Sequence, residues 1–271
     1  MSTKTLFIAT YNVLYPSHNA SIWTNISKLI EGGISIICLQ EVTKQKEDFL
    51  KEHLRENFDN SWDMHVFIPA DSFFGTAILW DKKAVTFSSL YDVPLPKADQ
   101  FTLLESLVLR LAGGFTHIIT RTMVTATGSY QGKDIRISSL HLDHIGGPKN
   151  RTRQLRAAVS YLEKDEKYDL DVICGDFNTY DPLKSGKEYR ANKKTLHSYT
   201  EITQDTPWTH DLYDVSVYSA TSIFHKLYLL THIHWKRKLD FIWGRGMKKY
   251  SAQAVELPGS DHRPVIATIS F

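Results

Sequence analysis

Short apolar runs recur from one end of this chain to the other, and each meets a carboxylate, an amide or an imidazole at one of its ends. "TLFIATYN" (5–12) stops on Asn12, "ISIICLQE" (34–41) on Glu41, and "IRISSLHLD" (135–143) carries His141. "DLDVICGDFN" (169–178) ends on Asp176 and Asn178, which point the same way if the chain is still extended. Runs this uniformly apolar suit strands covered on both faces, as in sheets flanked by helices. Two later runs are reversed: Asp240 opens "LDFIWG", and Asp261 and His262 precede "RPVIATISF" (263–271). Ligand sites in open α/β sheets lie beyond the carboxyl ends of the strands. If the last two strands run antiparallel to the others, all these polar residues converge on one rim.

Between the strands the period changes. "SIWTNISKLIEGG" (21–33) sets Ile22, Ile26, Leu29 and Ile30 on one helical face, and Gly32-Gly33 ends it. Residues 46–57 and 150–164 read as further helices, the latter with Leu155, Ala158, Val159 and Leu162 on one side. Shorter strands are predicted at 64–68, 75–80, 106–111 and 116–127, with a turn at Gly132. From about 180 to 235 the pattern weakens into loop, with short helices near 184–192 and 209–216. No repeat or low-complexity linker divides the chain, so residues 1–271 are expected to form a single domain.

A net charge of +2 excludes a polycation, but the basic residues are unevenly placed. Lys149, Arg151, Arg153 and Arg156 form one cluster, Lys184, Lys187, Arg190, Lys193 and Lys194 a second, and Lys236, Arg237 and Lys238 a third. Such clusters suit a solvated face and also a polyanionic substrate. The two cysteines, Cys38 and Cys174, sit inside apolar runs as small hydrophobes and indicate no disulfide framework. No stretch approaches a membrane span, and a first strand near Thr5 leaves no room for a secretory segment. The expectation is a monomer in a reducing, cytoplasmic compartment.

Taken one at a time, most of these polar residues have a structural reading. Asn12 could sit in a turn, Glu41 could favour a following helix dipole, and His141 could be a satisfied half-buried imidazole. Asp240 and Asp261 could each cap a turn. "GDFN" and "SDH" resist that reading, and the same coincidence at six strand ends has no structural cause. The inventory is Asn12, Glu41, His141, Asp176, Asn178, Asp240, Asp261 and His262. It is rich in oxygen donors with no thiolate cluster, which suits a hard divalent cation and a phosphate.

In order along the chain, "TYNVL", "CLQEV", "SLHLD", "GDFN", "LDFI" and "GSDHRPV" span residues 10 to 266. That series resembles the endonuclease/exonuclease/phosphatase superfamily, of DNase I-like fold. The resemblance implies a four-layer α/β sandwich: two mixed β-sheets packed face to face, helices outside. It also implies hydrolysis of phosphoester bonds with Mg2+ or Mn2+. By the same resemblance Glu41 binds metal with Asn12 beside it, and Asp261 contacts metal or its surroundings. His262 is the general base or orients water, and Asp240 fixes its tautomer. Asp176 and Asn178 position water and phosphate, and His141 donates to a phosphate oxygen. One metal ion or two stays open.

The superfamily includes DNase I-like nucleases, abasic-site endonucleases, deadenylases, tyrosyl-DNA phosphodiesterases, inositol-polyphosphate phosphatases and sphingomyelinases. Abasic-site endonucleases typically carry a tyrosine where this chain has His141 and an aspartate where Leu14 stands, which argues against that branch. "CLQEV" and "CGDFN" look closest to the deadenylase and general bacterial branches. Inositol-phosphatase signatures are missing. The basic helix after His141 brings Arg151 and Arg153 to its amino end, where phosphates are attracted by backbone N–H groups. Tyr189, Tyr199, Trp208, Tyr228 and Trp235 interleave with basic residues and suit stacking on unpaired bases. A nucleic-acid substrate is therefore expected. The alternative is a small phosphate ester or lipid headgroup.

Overall fold

The computed structural model describes residues 4–15, 17–99, 101, 118–144, 146–164, 167–179, 186–210 and 236–271. The first sheet is built from β1 (Thr5–Asn12), β2 (Ile36–Val42), β3 (Trp62–Phe67), β4 (Gly75–Asp81), β11 (Lys249–Ala254) and β12 (Val265–Ser270), in the order β11-β12-β1-β2-β4-β3. The second holds β5 (Val85–Leu95), β6 (Arg121–Tyr130), β7 (Lys133–His141), β8 (Leu170–Asp176), β9 (Thr200–Glu201) and β10 (Asp240–Arg245), in the order β5-β6-β7-β8-β10-β9. Helices α1 (Asn19–Glu31) and α2 (Lys44–Asn57) belong to the first half of the chain. Helices α3 (Gly147–Leu162) and α4 (Lys187–Thr195) belong to the second.

The layers follow from which face of each strand is apolar. Leu6, Ile8, Ile36 and Cys38 of one sheet meet Val124, Ile137, Val172 and Cys174 of the other in a fully buried inner core. Ile22, Ile26, Leu29, Leu50 and Leu54 of α1 and α2 cover the outer face of the first sheet through Ala9, Ile37 and Leu79. Leu155, Ala158, Val159 and Leu162 of α3 cover the second sheet through Leu140 and Ile173. Successive side chains along a strand face opposite ways, so both faces of β2 and β8 are buried and both strands read as continuous apolar runs. The four-layer sandwich expected from the sequence is the fold observed.

Register places the strand ends. β1 and β2 are parallel, as are β7 and β8. β12 runs antiparallel to β1, and β10 antiparallel to β8. The two reversed runs are therefore reversed in space too, and their polar starts reach the rim where the other strands finish. Three strands were missed, the two-residue β9 among them. β5 carries an irregular burial pattern and Pro94, which an edge strand tolerates. β11, with its polar "KYSAQA", is the other edge. The strand expected over 116–127 begins at Arg121. The strand at 106–111 and nearly all of the helix at 209–216 fall outside the described residues, as do Lys184, Tyr228 and Trp235.

Candidate active site

Cross-strand pairing sets three site residues in a row. His141 on β7 pairs with Asp176 on β8, and Asp176 pairs with Asp240 on β10. Gly175 makes that row possible: it sits at φ 143°, and a Cβ there would lie 1.9 Å from the Leu140 carbonyl oxygen. On the opposing sheet Asn12 pairs with Gln40, and the ladder breaks between Gln40 and Val42 so that Glu41 stands out of register. Glu41, at φ 61°, and Asn178, at φ 47°, both occupy the left-handed region. Asn tolerates that region readily, whereas for Glu it is strain of the kind that concentrates at functional sites.

One amide links the two sheets. Asn12 Nδ2 donates to Glu41 Oε1 at 3.1 Å and to Asp176 Oδ2 at 3.0 Å, while its oxygen accepts from the Leu14 N–H. Asn12 is fully buried, so here it acts as an orienting strut between two carboxylates. Glu41 Oε2 accepts from the Tyr15 N–H at 3.0 Å. The Asn178 N–H donates to Asp176 Oδ1 at 2.8 Å, and its Nδ2 donates to the Leu142 carbonyl and reaches His141 Nε2 at 3.2 Å.

His262 Nδ1 lies 2.8 Å from Asp240 Oδ2, which also accepts from Thr209 Oγ1 at 2.7 Å. The pairing leaves His262 Nε2 facing Asp176 Oδ2 at 3.7 Å and Asp261 Oδ1 at 4.0 Å. Ser260 fixes the approach by donating to the Asn12 carbonyl and accepting from the His262 N–H. Thr209 and His210 were not read from the sequence. His210 Nε2 is 3.3 Å from Asp261 Oδ2, and its ring meets that of His262 at 4.8 Å. Both sit in a stretch without hydrophobic period, so only proximity in space reveals them.

Charge at the rim is unbalanced. None of Glu41, Asp176 and Asp240 has a Lys or Arg ion-pair partner among the described residues. Burial, with Asp240 adding to it, pushes Asp176 up to about 7 against the pull of His262, Asn178 and Asn12. Burial opposes charge on His262, but Asp240, Asp176 and Asp261 outweigh it and hold the imidazole well above its ordinary pKa. Burial first, then the positive charge of Arg121, keeps His141 well below it and neutral. Two groups of ligand atoms lie within 4.8 Å of one another: Asp176, Asp240 and His262, and His210, Asp261 and His262. Asp240 Oδ1 is buried without a hydrogen-bond partner. An unspent carboxylate oxygen, with no thiolate beside it among the described residues, fits a hard divalent cation.

Two expected substrate contacts come out differently. Arg151 is 1% exposed and its guanidinium grips Glu188 on α4 at 2.5 and 3.1 Å, so it ties α3 to α4 and does not face a substrate. Arg153 is half-buried and bonded to Asp99, the Lys97 carbonyl and Asn150. Nor do Tyr189 and Tyr199 offer faces for stacking. Both are buried, their hydroxyls on Glu201 and Asp171. Trp208 carries Lys236 at 4.3 Å and Arg263 at 3.4 Å from its ring centroid.

The chain matches the Endonuclease/Exonuclease/phosphatase family over residues 9–262. Among solved structures, the endonuclease/exonuclease/phosphatase from Bacteroides vulgatus superposes with a TM-score of 0.70 at 15% identity, covering 98% of each chain. TDP2 from D. rerio, complexed with a single-strand DNA product, gives 0.69 at 15% identity, covering 98% of this chain and 99% of that one. A family protein from Bacteroides thetaiotaomicron gives 0.66 at 16% identity, over 100% and 99%. No curated protein sequence matches. Among the described residues no helix is long and apolar enough to cross a membrane.

Proposed function

Because the chain belongs to the endonuclease/exonuclease/phosphatase family, we propose that it is a divalent-metal-dependent phosphodiesterase acting on nucleic acid. The observation that carries this reading is the buried row of Asp176, Asp240 and His262 at an under-neutralised rim. A cation, Mg2+ or Mn2+, would be held by Glu41 with Asp261 and the neighbouring carboxylates, and it would neutralise charge developing on the phosphate. Asn12 would hold Glu41 and Asp176 apart at fixed distance.

Asp240 holds the proton of His262 on Nδ1, which directs Nε2 at the reacting centre. The 3.7 Å between His262 Nε2 and Asp176 Oδ2 is too long for a direct hydrogen bond and suits a shared water. Asp176, raised to about 7, is tuned to accept that water's proton near neutral pH. The charged His262 then favours the anionic transition state, and Asn178 fixes Asp176 through its N–H. For His141 to donate to a phosphate oxygen through Nε2, the ring must give up its contact with the Asn178 amide.

Nucleic acid is preferred to a small phosphate ester because exposed basic residues remain on α3 and α4: Lys149, Arg156, Lys193 and Lys194. A fold neighbour that holds a single-strand DNA product is consistent with this. The reading takes residues 1–271 as one domain working as a cytoplasmic monomer. Incubation with Mg2+ and single-stranded DNA, duplex DNA, RNA and small phosphate esters tests it. Oligonucleotide cleavage is the expected result; turnover of phosphomonoesters or lipid headgroups alone would move the assignment to the alternative.

A further inference from the structure

Among the described residues, exposed aromatic surface lies beside the candidate site rather than at Tyr189 and Tyr199. Tyr15, on the connection after β1, is 45% exposed, and Phe73, just before β4, is 48% exposed. Their rings meet edge to face at 5.0 Å. Both pack on Phe74, which is buried: Tyr15 stacks on it at 5.7 Å and Phe73 meets it edge-on at 4.8 Å. Phe74 in turn stacks on the His141 ring at 5.7 Å, with the Arg121 guanidinium 5.1 Å from its centroid. The backbone of Tyr15 is fixed by Glu41 Oε2. An aromatic shelf thus grows directly out of two candidate catalytic residues, with the buried Arg121–Asp143 pair beneath it.

We propose that Tyr15 and Phe73 form a stacking platform for one unpaired base of a single strand, next to the phosphate being cleaved. The inference rests on the nuclease reading above. Two features favour a base over another occupant. The shelf is continuous with the candidate phosphate site, and a nucleotide's base hangs one sugar away from its phosphate. Aromatic faces accept any base, because every base has a π-face. A duplex keeps its bases stacked on one another and cannot use the shelf without opening.

The test pairs Phe73→Ala and Phe73→Trp with single-stranded oligonucleotides carrying one abasic residue, moved through the positions flanking the cleaved bond. Phe73 is half exposed, so its truncation leaves the fold intact. Wild type is expected to lose roughly 5- to 150-fold in kcat/KM when the stacked base is missing at one position. Phe73→Ala should show the same loss on the intact strand and no further loss on the abasic one, and Phe73→Trp should restore the rate. Cleavage of duplex should be indifferent to all three. Wild type that cleaves the single strand with no abasic-sensitive position overturns the platform alone. Equal losses by Phe73→Ala on intact and abasic strands overturn it too. Failure to cleave any oligonucleotide overturns the nuclease reading and the platform together.

Discussion

Asp171 and Asp176 lie near opposite ends of β8, both sealed from water, and their surroundings are opposites. Asp171 accepts from Arg136 at 2.7 and 3.2 Å, from Arg245 at 2.7 and 2.9 Å, and from the Tyr199 hydroxyl at 2.7 Å. One negative charge is met by two guanidinium groups. Asp176 has two N–H donors, an imidazole at 3.7 Å and a second carboxylate beside it, but among the described residues no guanidinium or ammonium. A buried charge needs pairing to be tolerable. The end of the sheet that only has to stay folded supplies the pair from its own side chains. The end proposed to do chemistry leaves the charge unmet, which is where an external cation and substrate enter.

If that contrast is real, the two aspartates must fail in different ways. The largest effect is expected for Asp176→Asn: kcat on an oligonucleotide should fall by roughly 10²- to 10⁴-fold while the variant stays at least as stably folded as wild type near neutral pH. A variant that stays folded and turns over normally would remove Asp176 from the chemistry. At the other end, Arg136→Met leaves Asp171 short of a partner. Urea unfolding should show a loss of about 3–5 kcal/mol, with KM unchanged for the folded fraction. A large activity defect at normal stability would break the division between the two ends.

A pH titration of metal-free protein sharpens the comparison further. Asp176 stands at about 7 in the fold against a reference of 3.8, so the folded state binds its proton more tightly than the unfolded one. That contribution to stability is complete below about 4 and is lost as pH rises through about 7. His262, held above its ordinary value, contributes with the same sign. Stability should therefore decline across this window, and Asp176→Asn should flatten the decline. The smallest effect belongs to Arg153, whose partner Asp99 lies at the surface. Exposed pairs of this kind contribute about 0–1 kcal/mol. Arg153→Glu should leave KM on oligonucleotides nearly unchanged at every salt concentration, because its guanidinium is held by Asp99, the Lys97 carbonyl and Asn150. A several-fold rise in KM at low salt that shrinks as salt rises would put Arg153 back on the binding surface.

The sequence revealed most where both faces of a strand are buried. β1, β2, β7 and β8 announce themselves as apolar runs, and their terminal polar residues gave Asn12, Glu41, His141 and Asp176. Three of the four edge strands, β5, β9 and β11, stayed hidden because they bury too little to show a run, whereas the edge strand β3 was legible. Arg151 was misread for a related reason. Its position on a basic helix was legible, but Glu188, 37 residues away on α4, was not visible as its partner. Thr209 and His210 lie in a segment without period, and the role of Thr209 exists only because β10 brings Asp240 to it. The shelf of Tyr15 and Phe73 joins two connections 58 residues apart, and nothing in local sequence links them.

Thermal unfolding with and without Mg2+ tests the unmet charge at the rim most directly, on wild type and on Glu41→Gln near pH 8. Binding to the folded state alone adds about 2.7 kcal/mol at a hundredfold excess over Kd. Wild type should gain a clear rise in Tm on adding Mg2+ to chelator-treated protein, and Glu41→Gln should lose most of it. A wild type indifferent to Mg2+ and Mn2+, or a rise of equal size in Glu41→Gln, would contradict the claim that this rim holds a catalytic cation.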